Sequence, residues 1–187
     1  MPSILTTPPA TEPVTLAEAK AYLRVAHADE DALISTLIVA ARRHAEARTG
    51  LVFISQGWSQ FRDGWPDLGV IELAPAPVIA VSSLKVYDGA GVAVTIDPAS
   101  YYVDRLSRPA RVMLLGSAAW PEPGRIGNGI ELVLTAGFGA AADVPGELRE
   151  AMLQMVAHWF GNRGDDGSGG IPLDVGHLLN MFRGVRL

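Results

Sequence analysis

His27, His44, His158 and His177 are the histidines of this chain, and no two stand at the i, i+4 or motif spacing by which imidazoles share a zinc ion. They read as helix-surface or satisfied core residues. The acidic pairs Glu30/Asp31 and Asp165/Asp166 could act as general acid and base or hold a divalent cation. The first pair stands where a helix begins and the second in a Gly-rich stretch, so dipole compensation and solvated charge compete with any catalytic use. Arg163, Gly164 and Asp165 spell an adhesion tripeptide, which carries almost no information in such a stretch. Trp58, Trp65 and Trp120 fall in or beside β-prone segments, where they could stack on a sugar or pack in a core or interface. Gly127-Asn128-Gly129 and Gly137-Phe138-Gly139 are too short for a dinucleotide fingerprint and read as turns. No nucleophile comes with an identifiable base and orienting group. The expectation is no catalytic residue, no cofactor and no metal.

The elements that carry these residues are legible from their periodicity. Residues 29–50 form the clearest helix: Asp29, Glu30 and Asp31 place acid at its start, Arg42, Arg43 and Arg48 place base towards its end, and Gly50 supplies a left-handed stop. Leu33, Leu37, Ala40, Ala41 and His44 follow helical spacing, and Ile34, Ile38, Ala41 and Ala45 widen that stripe. A face so wide asks for more than one neighbour. Before it, Thr15 and Glu18 form a capping box for a short helix with Leu16, Ala19 and Leu23 inside, and the brief turn between the two makes them an antiparallel hairpin. From residue 51 the pattern turns to short β-branched and aromatic runs, with strands expected over 51–61, 70–73, 78–87, 92–96, 101–105, 111–115 and 130–136. Asp88-Gly89-Ala90-Gly91 reads as a hairpin turn, and Pro75 and Pro77 as an edge or strand entry. Helical period returns after Val144-Pro145, with Leu148, Met152, Met155, Val156 and Trp159 on one face.

Residues 161–170, with five glycines and a serine, read as a flexible loop. After Pro172, Val175, Leu178, Leu179 and Phe182 share one face of a short terminal helix, which would be a lid on its own core or a peg for another protein's groove. The fold class expected is α+β: a mainly helical core of three helices plus a C-terminal helix, with an inserted all-β lobe. The division expected is an extended N-terminal arm over 1–14, a helical hairpin over 15–50, the β lobe over 51–140, a third core helix over 143–162, and a loop with a C-terminal docking helix over 163–187.

At 187 residues the chain is long enough for one sizeable core with appendages. Its 49% hydrophobic and 19% charged residues, with a mean hydropathy of +0.22, leave an apolar surplus that points to subunit interfaces. No run reaches the roughly 18 apolar residues of a membrane span. A formal charge of -5 disfavours gripping a nucleic-acid backbone but not passing close to one. The lack of cysteine excludes disulfides and thiolate sites and fits synthesis in a reducing cytoplasm, and residues 1–13 lack the regions of a signal peptide.

Two stretches, read together, resemble a known family. Val14-Thr15-Leu16-Ala17-Glu18-Ala19-Lys20-Ala21-Tyr22-Leu23-Arg24, followed by Asp29-Glu30-Asp31-Ala32-Leu33-Ile34, resembles the opening of tailed-phage head-tail connector (adaptor) proteins, including prophage and gene transfer agent versions. The ending from Leu178-Leu179-Asn180-Met181-Phe182-Arg183 to Arg186-Leu187 resembles the family's C-terminus. Trp120-Pro121, Ala136-Gly137-Phe138-Gly139, Val144-Pro145 and Ala157-His158-Trp159-Phe160-Gly161-Asn162-Arg163 fit between them in order. Phe138 and Phe182 depart from the tyrosine more usual there, which removes a hydroxyl and its hydrogen bond.

The resemblance implies a structural protein that forms a ring, expected to be dodecameric, beneath the capsid portal. Such a ring joins head to tail and lets DNA pass through its channel without specific binding. Its partners would be the portal protein, the next tail-side connector or stopper, and further copies of itself, with no membrane involved. The place implied is the head-tail junction of a virion or phage-like particle made in the bacterial cytoplasm. The C-terminal segment would reach the portal, with Leu178, Leu179, Phe182, Arg183, Arg186 and Leu187 as the docking residues. Two other readings compete: a ligand- or carbohydrate-binding module using the β lobe, and a hydrolase using the acidic pairs.

Overall fold

The computed structural model describes residues 2–115, 119–163 and 170–183. Two compact units share the chain: Met1–Pro9 with Ser55–Phe138, and Ala10–Ile54 with Gly139–Leu187. The mixed α+β class expected from the sequence is the class observed, with four α-helices and eight antiparallel strands among the described residues.

The helical unit is built from α1 (Leu16–Leu23), α2 (Asp31–Thr49), α3 (Gly146–Gly161) and α4 (Leu173–Asn180). Thr15 caps α1 with both halves of the capping box, its hydroxyl accepting from the Glu18 N–H at 3.2 Å and the Glu18 carboxylate accepting from the Thr15 N–H at 2.8 Å. Those N–H groups have no partner inside the helix, so the reciprocal pair is what fixes the start of α1. Helix α2 stops where the sequence says, at Gly50 in the left-handed region with φ 73°. The core lies between Ile34, Ile38, Ala41 and Ala45 of α2 and Leu148, Ala151, Met152, Met155 and Val156 of α3. Leu33 and Leu37 are half-buried and Ala40 and His44 exposed, so the stripe first read on α2 is rotated towards its Ile34 edge. A face of mixed Leu and Ala is satisfied by packing either edge, and α3 takes the one with the β-branched residues.

The β unit holds a five-stranded sheet and a three-stranded sheet. The larger uses β1 (Ser3–Thr7), β2 (Gln56–Arg62), β8 (Ile130–Ala136), β4 (Val78–Tyr87) and β5 (Ala93–Thr95), in that spatial order. The smaller is β3 (Val70–Glu72), β7 (Arg111–Leu114) and β6 (Tyr101–Asp104). Central strand β8 alternates cleanly: Ile130, Leu132, Leu134 and Ala136 are buried, while Glu131, Val133 and Thr135 are half-buried. The β4–β5 hairpin turns on Asp88, whose carboxylate accepts from the N–H groups of Ala90 and Val92 at 2.9 and 2.8 Å. The buried Gln60 side chain of β2 donates to the Glu72 carbonyl at 3.0 Å and accepts from the Ala74 N–H at 3.1 Å, tying β2 to the chain around β3. Strand β1 lies in the stretch read as an extended arm. Its side chains are almost all exposed, so it has no alternating burial to betray it in the sequence.

Candidate docking surface

Helix α4 is positioned by its ends and by two side chains. Pro172, extended at φ −52° and ψ 142°, precedes the first turn. Val175 and Leu179, one turn apart, are both fully buried, and α4 packs on α2 and α3. The stripe is narrow, but α2 and α3 give it a surface to lie on, so the inner face of α4 covers the protein's own core. Of the docking residues expected, Leu179 is taken up by the protein's own core, Leu178 and Phe182 are half-buried beside it, and Arg183 is exposed. Arg186 and Leu187 lie outside the described residues.

The outward side of α4 carries residues that sequence reasoning passed over. Leu173 is 83% exposed and Met181 78% exposed, costly positions for large apolar side chains in a free surface helix. Leu173 lines a shallow cleft of about 290 Å³ with Arg48, Pro172, Gly176, His177 and Asn180 among others. The Arg48 guanidinium donates to the Asn180 side-chain Oδ1 at 3.4 Å, which places a cation from the end of α2 against the outer face of α4. With Arg183, the surface presents positive charge among apolar groups on an acidic protein, chemistry suited to a partner offering carboxylates around an apolar slot. A sequence signal existed in the i, i+8 spacing of Leu173 and Met181, opposite the Val175/Leu179 stripe.

Several of the residues that could have done chemistry make structural contacts among the described residues. Glu30 accepts from Arg163 at 3.0 Å, and Asp31 pairs with Lys20. Asp165 and Asp166, and with them the middle of the Arg163-Gly164-Asp165 triplet and most of the Gly-rich loop, lie outside the described residues. His44 meets Trp159 edge-on at 6.1 Å, His158 contacts the Asn162 amide, and His27 lies 3.5 Å from Asp29. Among the described residues no group of three or more His, Asp or Glu is placed to hold a metal ion, and no helix is long and apolar enough to cross a membrane. Trp65 and Trp120 stack on each other at 4.3 Å, each covering one face of the other. In the β unit, Ser107 through its hydroxyl and N–H, with Arg111, holds the Asp104 carboxyl well below the usual carboxylate range. Glu131 is also held low: burial opposes its charge, but hydrogen bonds from Tyr87 at 2.6 Å and Ser59 at 2.9 Å, with Lys85 nearby, outweigh it.

A four-helix unit bearing an amphipathic terminal helix shares the chain with an antiparallel β unit drawn from the residues before α1 and those between α2 and α3. Residues 13–89 match the family described as phage gp6-like head-tail connector protein. The full chain superposes on a chain from the neck of an empty gene transfer agent particle, computed with C6 symmetry, at a TM-score of 0.86 and 27% identity, covering 100% of this chain and 97% of that one. A chain from the virion of a native gene transfer agent particle matches at 0.85 and 27% identity, and one from a native neck computed with C12 symmetry at 0.82 and 26%, with the same coverage. No curated protein matches. The chain is thus similar over residues 13–89 to phage head-tail connectors, and over its whole length to chains from gene transfer agent particles.

Proposed function

We infer that this chain is a structural head-tail connector, set at the junction of a phage-like head with its tail. The observation that carries this is the superposition over the entire chain, at 27% identity, on a component of a gene transfer agent neck, joined to the family match at residues 13–89. Copies assemble into a ring, twelve in number on the C12 symmetry of the native neck, and the ring continues the channel along which DNA moves. The net charge of -5 suits that channel, because like charge lets DNA slide instead of adhering. The helical unit carries the docking helix, and the β unit is formed by the segment before α1 and the segment between α2 and α3. On the head side the partner is the portal, gripped by the half-buried Leu178 and Phe182 at the margin of the inner stripe of α4 and by the exposed Arg183, with Arg186 and Leu187 beyond. Leu179 supports that surface from beneath. On the tail side the partner is the next connector or stopper.

The protein is proposed to turn over no substrate. Purified chain offered ester, glycoside and phosphodiester substrates should give no product above buffer; activity that disappears in Asp165→Asn or Asp166→Asn would replace this reading with the hydrolase one. The assembly reading is tested by imaging particle necks by electron microscopy. Density fitted by this fold between portal and tail supports it, and necks without such density refute it.

A further inference from the structure

We propose that the five-stranded sheets of neighbouring copies join edge to edge, β1 of one copy against β5 of the next, so that one sheet runs on around the ring. The proposal rests on the ring reading above and adds the surface by which copies meet. Strands β1 and β5 are the two outer strands of the sheet, each with one neighbour, β2 and β4 respectively. Every step across the sheet, β1 to β2, β2 to β8, β8 to β4 and β4 to β5, is antiparallel. An odd number of strands so connected leaves β1 and β5 pointing the same way. Rotation about a ring axis preserves strand direction along that axis, so the β5 edge of one copy meets the β1 edge of the next as a parallel pair, a contact that repeats without reversal. Such a head-to-tail contact closes rings, whereas β1 on β1 or β5 on β5 would stop at a dimer.

The edges carry little guarding. Proteins blunt free edges with charge, proline, bulges or very short strands; β5 is short, but neither Ser3–Thr7 nor Ala93–Thr95 contains a charged residue or a proline. The one irregularity, a register shift between Leu5 and Thr7, leaves Ser3, Ile4 and Leu5 regular. Ile4 and Leu5 are 55% and 43% exposed, and Val92 and Val94 at the other edge 59% and 56%. Each edge therefore offers unpaired backbone and aliphatic side chains to the other, and the absence of charge on both fits a partner that is another copy. Gly57 shows that the β1 position is built in: a Cβ there would come within 2.8 Å of the Thr7 hydroxyl, so the glycine lets β1 lie close on β2. Five strands at about 4.8 Å span about 24 Å, and twelve such spans close a barrel about 90 Å across, wide enough to surround a DNA channel.

The chain has no cysteine, so introduced thiols report alone. Leu5→Cys, Val94→Cys and the double variant are each supplied as the only copy during particle production, and purified particles are treated with a short bifunctional thiol reagent. The double variant should give a ladder of covalent oligomers extending well past the dimer, and each single variant should stay monomeric. Monomer alone from the double variant in tailed particles, or dimers from a single variant, overturns the edge pairing and leaves the connector reading standing. Absence of the chain from tailed particles made with it would remove the connector reading and this inference together. As a second readout, Leu5→Lys should leave the melting temperature of the purified chain unchanged while lowering its incorporation at least tenfold; normal incorporation counts against the pairing.

Discussion

Arg42 shows what a single side chain does in this fold that its sequence position hides. It stands in the second half of a helix where base complements the dipole, but its side chain is 6% exposed and donates to Glu12 at 2.7 Å and to Glu46 at 2.7 Å. Glu46 in turn accepts from the Phe53 N–H at 2.9 Å, so one buried guanidinium ties the segment before α1 and the chain after α2 to the same point. Removing one partner of a buried charge network leaves the others unpaired, and Arg42→Ala should cost about 3–5 kcal/mol in urea unfolding. A loss below about 1 kcal/mol would show that the network is solvated. Asp104 gives a pH signature. Its folded pKa lies below the ordinary value of 3.8, so its contribution is complete above that value and is lost as pH falls through the depressed one. The melting temperature of the wild type should therefore fall more steeply than that of Asp104→Asn below pH 3.8; identical slopes would remove the carboxylate from the account.

At the scale of elements, α4 divides into an inner and an outer face with different consequences. Leu179→Ala empties a fully buried site and should destabilise the protein by about 2–5 kcal/mol, read as a lower melting temperature. Arg183→Glu, on an exposed residue, should change stability by less than about 0.5 kcal/mol yet reverse the charge offered to the proposed portal partner, so that the folded variant fails to enter particles. Normal entry would remove Arg183 from the docking surface. The helices were legible because each carries local punctuation: the Thr15 box, the Gly50 stop, and Val144-Pro145 before α3. Strand β1 was not, because Ser3–Thr7 has exposed side chains and is held by its pairing with β2, some fifty residues away. Which edge of α2 is buried was likewise hidden, since Leu37 and Ile38 are equally apolar and the choice depends on where α3 lies. The stripe on α4 was readable, but whether it met a partner or its own core was a tertiary fact.

For the whole molecule, the connector role rests on shape and sequence together: residues 13–89 match the phage connector family, and the whole chain superposes on chains of gene transfer agent particles. A ring multiplies weak contacts, so an uncharged three-residue edge and a half-exposed helix face are adequate where an isolated pair would not be. The most direct measurement is electron microscopy of particles produced with the gene for this chain deleted and everything else intact. The account predicts DNA-filled heads and separate tails, with tailed particles restored when the wild-type chain is supplied in trans. Tailed, functional particles in the deletion strain, at the wild-type yield, would contradict it.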